Sequence, residues 1–242
     1  MHTGEQTQPD TGVDGTDTGS ETEAAEEIEG TIQFQYTLQP AAIQLNPDVV
    51  TQLLSWRSKL FDLKLIGQNP NLYGGYGYGN MSTRTAPGFV ITASQTSGTE
   101  QATTQDLVTV VECDTEHFKV TATGSAAPSS ESVTHGMLYQ ADDSINFVFH
   151  AHSQIIWQQR HALNLPETPA ETPYGSPAMA AAVRQLMQRH PQRPLVFATA
   201  GHEDGIFSVA SSATECANAL IDVLTRAEDL VRQASPTSKS RL

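Results

Sequence analysis

The stretch Asn146-Phe147-Val148-Phe149-His150-Ala151-His152 constrains the fold of this chain more than any other. It is short, apolar and aromatic apart from Asn146 and the two histidines, which suits a strand buried in a core. Side chains on a strand alternate between its faces, so His150 and His152 point the same way. Two strand positions separate them by about 7 Å, close enough for both imidazoles to turn onto one ion. Taken alone, the pair also fits two ordinary polar residues at the end of a strand.

Other blocks carry polar chemistry of the same kind. Tyr73-Gly74-Gly75-Tyr76-Gly77-Tyr78-Gly79-Asn80 is a glycine-rich loop whose backbone N–H groups can approach an anion. Phe89 to Ser94 reads as a strand. Pro128-Ser129-Ser130-Glu131 opens a helix, with Ser129 or Ser130 as its cap and the Glu favoured by the dipole. The same N-terminus offers N–H groups and two hydroxyls to an anion. His135, four residues on, shares the helix face of Glu131. Leu195 to Ala200 is a second buried strand, and it delivers Gly201-His202.

In this order, Gly79-Asn80-Met81-Ser82, Pro128 to Glu131, His150-Ala151-His152 and Gly201-His202 resemble the class II aldolase/adducin family. The resemblance runs from about Asn46 to Leu230. It implies an α/β fold, a three-layer α/β/α sandwich around a mostly antiparallel central sheet. It implies that His150, His152 and His202 hold a divalent metal, zinc being the first choice for three neutral imidazoles. Glu131 would be a fourth ligand or the general base. Asn80, Ser94, Ser129 and Ser130 would bind substrate. Such a metal polarises a carbonyl and a hydroxyl and stabilises an enediolate. That intermediate serves aldolases, epimerases and dehydratases alike.

The sequence departs from the family pattern in three places. Family aldolases follow the strand at 89–94 with a small residue and a glycine that contact phosphate, whereas Gln95 follows Ser94 here. Glu203 and Asp204 separate His202 from Gly205, either orienting the histidine or forming a solvated turn. Family aldolases also place a catalytic tyrosine between the histidine pair and the next helix. No residue here takes that position, and Tyr174 matches a different one.

The rest of the chain fits one domain with tails. Residues 1–30 hold nine acidic residues and no Lys or Arg, with few large apolar side chains, and read as a disordered tail. Thr31 to Leu38 alternates as a half-buried edge strand. Asn46-Pro47 starts a helix reaching about Leu65. Asp106 to Glu112 and Phe118 to Thr121 form a hairpin, Ser176-Pro177 starts a helix ended by Pro191, and Ser212-Ala213-Thr214-Glu215 has capping-box spacing for a helix to about Arg232. The domain is therefore placed at 31–231 and a flexible tail at 232–242. Six or seven strands and four helices are expected.

Charge and cysteine content narrow the class. The formal charge is −14, yet 18 acids face 13 bases outside the tail, an ordinary balance for a domain. Nucleic-acid binding, which needs a basic patch, is not expected. No apolar run spans a bilayer and no signal peptide opens the chain, so no membrane partner is expected. Cys113 and Cys216 make no disulfide framework and fit a reducing, cytoplasmic setting. The reading is a metal-dependent lyase acting on a small hydroxy-carbonyl or sugar-type molecule, with carbohydrate metabolism as its setting. The family resemblance implies a homotetramer. The alternatives are an epimerase or dehydratase on the same site, or a non-catalytic, adducin-like interaction module.

Overall fold

The computed structural model describes residues 31–40, 46–173 and 175–234. The acidic segment 1–30, the residues from 235 onward and Tyr174 lie outside the described residues, and so do the expectations made for them.

The chain begins with β1 (Gln35–Gln39) and α1 (Pro47–Asp62). Asn46 caps α1 by accepting the Asp48 N–H at 3.0 Å, and Pro47 takes the first helical position. The short pair β2 (Gly67–Gln68) and β3 (Gly77–Tyr78) brackets the glycine/tyrosine loop. Then come β4 (Asn80–Arg84), β5 (Phe89–Thr92), β6 (Leu107–Asp114) and β7 (Lys119–Thr123), a run of antiparallel neighbours. α2 (Ser132–Ala141), β8 (Phe147–His152), α3 (Gln154–Gln159), β9 (Glu167–Thr168), α4 (Pro177–Arg189), β10 (Leu195–Thr199), β11 (Gly205–Ala210) and α5 (Ala213–Ala234) follow.

Nine strands form the main sheet in the order β1-β7-β6-β5-β4-β8-β11-β10-β9. The outermost pairs, β1 with β7 and β9 with β10, are parallel; the pairings between them are antiparallel. The sheet is therefore mixed at its edges and antiparallel through its middle. Its strands outnumber the expected six or seven, and the described helices number five. Among the additions, β9 is only two residues long and α3 only six, too short for a periodic pattern to show.

Two cores lie on opposite faces of the sheet. One gathers Leu53 and Leu60 of α1, Ile156 of α3 and Leu220 of α5 against Met81, Phe149 and Ile206. The other gathers Leu138 of α2 and Val183 of α4 against Ile91, Val148 and Phe207. α5 buries Ala213, Cys216, Ala217, Leu220, Val223 and Ala227, a three-and-four spacing that makes one continuous stripe. The result is the expected three-layer α/β/α sandwich. β8 lies between the layers with all six of its residues buried.

One charged side chain helps hold the first layer to the site. Arg57 of α1 is 2% exposed. Its Nη1 donates to the Glu100 carbonyl at 3.1 Å, and its Nη2 to those of Thr96 and Ser97 at 3.0 and 2.8 Å. Burial lowers its pKa, and Asp106 opposes the shift. The guanidinium thus pins the loop after β5 to α1. Replacing it by Met removes the donors from three carbonyls, so Arg57→Met should cost about 2–4 kcal/mol. Urea midpoints check this, and the variant should also be cut faster by protease between residues 96 and 100. Unchanged stability and cleavage would mean that Arg57 does not anchor the loop.

Candidate metal centre

Strand alternation decides which groups meet. On β8, Phe147, Phe149 and Ala151 belong to the core beneath α1 and α5, and Val148 to the core beneath α2. His150 and His152 therefore share the α2 face. On β4, Met81 goes to the first core, so Asn80 and Ser82 join the histidines' face. Asn80 is the direct cross-strand partner of His150. On β11, Phe207 pairs across from His150, and its ring stacks on the imidazole at 4.3 Å between centroids.

His202 reaches the same place from the turn between β10 and β11. Its N–H bonds the Thr199 carbonyl, and its own carbonyl accepts from the Gly205 N–H, both at 3.0 Å. His150 Nε2 and His152 Nε2 lie 3.1 Å apart. One ring nitrogen from each of the three histidines falls within 4.8 Å of the others, and all three residues are buried. Glu131 faces them, its carboxylate oxygens 3.6 Å from His150 Nε2 and 3.6 Å from His202 Nδ1.

The donor set fits a divalent cation. Nitrogens sharing a tetrahedral zinc at about 2.1 Å lie roughly 3.4 Å apart, near the separation of the two β8 imidazoles. Burial, then His202 and His135, holds the pKa of His150 well below the usual imidazole range, so its ring is neutral near pH 7, as a metal-binding imidazole must be. Glu131, 2% exposed, adds a carboxylate beside the three imidazoles.

The helix start differs from the sequence expectation in a way that matters here. Neither Ser129 nor Ser130 is the N-cap of α2. A turn closed by the Ser132 N–H on the Ser129 carbonyl at 3.0 Å delays the helix, and Glu131 takes the cap position without a capping bond from its side chain. That carboxylate is thereby turned to the histidines. Ser129 and Ser130 instead line a polar cleft with Asn80, Ser94 and Gln95. Gly79 (φ 75°) lets the chain pass closely there, since a Cβ would press on Ile66 and on the carbonyls of Leu65 and His150. Gln95 itself has φ 60°, a left-handed conformation that is uncommon for a residue with a side chain.

His135 is a supporting residue. It is fully buried; its Nδ1 lies 2.6 Å from Ser82 Oγ, which lies 2.7 Å from the Tyr139 hydroxyl. Ser82 stands within the Gly-Asn motif, but its bond to α2 becomes visible only when β4 is paired with β8. Tyr73 and Asp204 also belong to the centre, and their spacing of more than a hundred residues leaves no sequence signal. Tyr73 donates from its hydroxyl to Asp204 Oδ2 at 2.7 Å. Of the two acids after His202, Glu203 is exposed and Asp204 is buried. Only the first is solvated.

Burial pushes the His135 pKa from 6.5 down to about 3. Between those values the unfolded chain binds more protons than the folded one, so stability is full above pH 6.5 and falls as the pH drops toward 3. His135→Asn should flatten this dependence by up to about 1.4 kcal/mol per pH unit. Urea midpoints of both proteins at pH 7, 6 and 5 measure it; equal slopes would contradict a neutral buried His135.

Comparison with known proteins places the fold. A family model described as Class II Aldolase and Adducin N-terminal domain matches residues 72–230. L-fuculose-1-phosphate aldolase from Thermus thermophilus superposes with a TM-score of 0.59 at 20% identity, covering 79% of this chain and 100% of that one. Another L-fuculose 1-phosphate aldolase gives 0.56 at 22%, over 78% and 87%. A sugar-phosphate aldolase from Thermotoga maritima gives 0.56 at 14%, over 80% and 97%. At these identities the likeness is one of fold. Among curated proteins none matches. Among the described residues, no helix is long and apolar enough to cross a membrane.

Proposed function

The chain belongs to the class II aldolase and adducin family, and from that premise we propose that it is a metal-dependent lyase acting on a small hydroxy-carbonyl or sugar-type compound. The observation that carries this reading is the buried convergence of His150, His152 and His202 with Glu131. The three histidines would hold the ion, zinc by preference, since neutral imidazoles are its usual partners. Once bound, the ion supplies Lewis acidity, drawing electron density from adjacent carbonyl and hydroxyl oxygens so that an enediolate is accessible.

The protein's own groups divide the remaining work. Glu131 takes the proton from the substrate, either from the carbon beside the carbonyl or from the hydroxyl whose loss of a proton breaks the carbon–carbon bond. It can do so because its side chain is not spent on capping α2. Asn80, Ser94, Ser129 and Ser130 would hold the end of the substrate that does not react. Among the described residues their cleft is lined by hydroxyl and amide groups and by no Lys or Arg, which suits a neutral polyhydroxy end. The Phe207 ring beside His150 keeps one wall of the site dry. A homotetramer, as the family resemblance implies, is part of the proposal.

The test is proton exchange, which precedes any choice among aldolase, epimerase and dehydratase. The zinc-loaded protein is incubated in D2O with dihydroxyacetone, hydroxyacetone and related hydroxy-carbonyl compounds and followed by NMR. Wild type should exchange the proton beside the carbonyl of at least one compound. Glu131→Gln, with its metal retained, should be slower by about 10²-fold or more. Exchange no faster than in Glu131→Gln across the panel would leave a binding module as the better account.

A further inference from the structure

The glycine/tyrosine loop crosses the histidine centre in a backbone conformation that has to be held in place. Tyr73, Gly74 and Gly75 have φ of 50°, 64° and 82°, three left-handed residues in succession. Glycine adopts this freely, but tyrosine does so at a cost, and such strain persists only where surrounding contacts enforce it. The contacts are specific. The Tyr73 ring meets the His152 ring edge-on at 4.7 Å and the Tyr78 ring at 5.2 Å. Its hydroxyl donates to Asp204 Oδ2 at 2.7 Å.

The acceptor is held just as firmly. Asp204 has φ 63°, is 5% exposed, and its carbonyl accepts the Ser153 N–H at 2.9 Å. Its Oδ1 is buried with no hydrogen-bond partner among the described residues. Tyr73 thus spans the centre, from the ring of His152 to the turn that carries His202. Because its hydroxyl hydrogen is committed to Asp204, Tyr73 Oη meets a substrate as an acceptor and not as a donor.

We infer that Tyr73 is a substrate-contacting residue, positioned by Asp204, which accepts a hydrogen bond from the substrate's hydroxyl beside the histidine centre. The same chain that supplies the three histidines supplies this contact. It selects a hydroxy-carbonyl compound over a simple carboxylate or carbonyl compound, because only the former has a hydroxyl to donate. Tyr73→Phe removes that acceptor while keeping the ring packed on His152. Asp204→Ala removes the group that fixes the hydroxyl's direction, and Asp204→Asn keeps an acceptor for it. The inference rests on the proposed hydroxy-carbonyl chemistry and on cation binding by the histidines.

The test uses the cobalt-loaded full-length protein and reads ligand binding from the visible spectrum of the ion, with glycolate and acetate as probes. Cobalt affinity should be unchanged within about twofold in Tyr73→Phe. Glycolate affinity should fall about five- to tenfold in Tyr73→Phe and Asp204→Ala, the worth of one lost hydrogen bond. Asp204→Asn should recover most of it, and acetate affinity should not move in any variant. Equal losses for the two ligands would reduce Tyr73 to a packing residue, and unchanged glycolate affinity would overturn the contact altogether. A wild type with no cobalt spectrum would fail earlier, taking the proposed function with it. The two failures are therefore distinguishable.

Discussion

Everything in this molecule that bears on chemistry follows from placing two imidazoles on one face of a fully buried strand. Polar groups inside a core must find partners or cost several kcal/mol each. β8 meets that demand by bringing its neighbours' polar side chains to the same face. Asn80 comes from β4, Glu131 from the start of α2 and His202 from the turn before β11. The opposite face of β8 stays apolar and packs beneath α1 and α5. A one-residue slip in the register of β8 would exchange the two faces, burying Phe149 among carboxylates and imidazoles among leucines. The antiparallel middle of the sheet and its two helical layers hold that register.

Electrostatics and packing act together at this point. Phe207 stacks on His150, and Phe197 stacks on Phe207 at 5.3 Å, so the imidazole rests on an apolar column. Low polarity around the ring keeps it neutral, the state in which an imidazole can bind a cation. His135 is held neutral by the same burial and steadied by Ser82, linking β4 to α2 beside the three histidines. Arg57 steadies the far side of the polar cleft by taking three loop carbonyls. Supports of this kind fix the orientation of the side chains at the centre.

Much of this is legible in the sequence, and the division has physical causes. The alternation at 147–152 determines which way the histidines face, and the cap signals at Asn46, Ser176 and Ser212 mark where α1, α4 and α5 begin. These are local signals, and local structure follows them. His202 is legible because it closely follows a recognisable buried strand. The expected cap at Ser129 or Ser130 fails because a turn intervenes, and turn geometry overrides a composition rule that either serine satisfies. Tyr73 reads along the chain only as part of a loop, and Asp204 as part of a turn or as a group orienting His202. Their meeting depends on how the loop before β4 folds back onto the turn before β11, which no spacing along the chain records. β9 and α3 are too short to leave a periodic trace.

The central claim is that the three histidines hold a divalent cation beside Glu131. Elemental analysis of the purified protein after incubation with zinc tests it most directly, beside a His150→Ala/His202→Ala variant that keeps the β8 backbone. The account predicts about one ion per chain in the wild type and under about a tenth of that in the variant, as expected when two of three nitrogen ligands are lost. A wild type without metal, or a variant that retains it in full, would contradict the account.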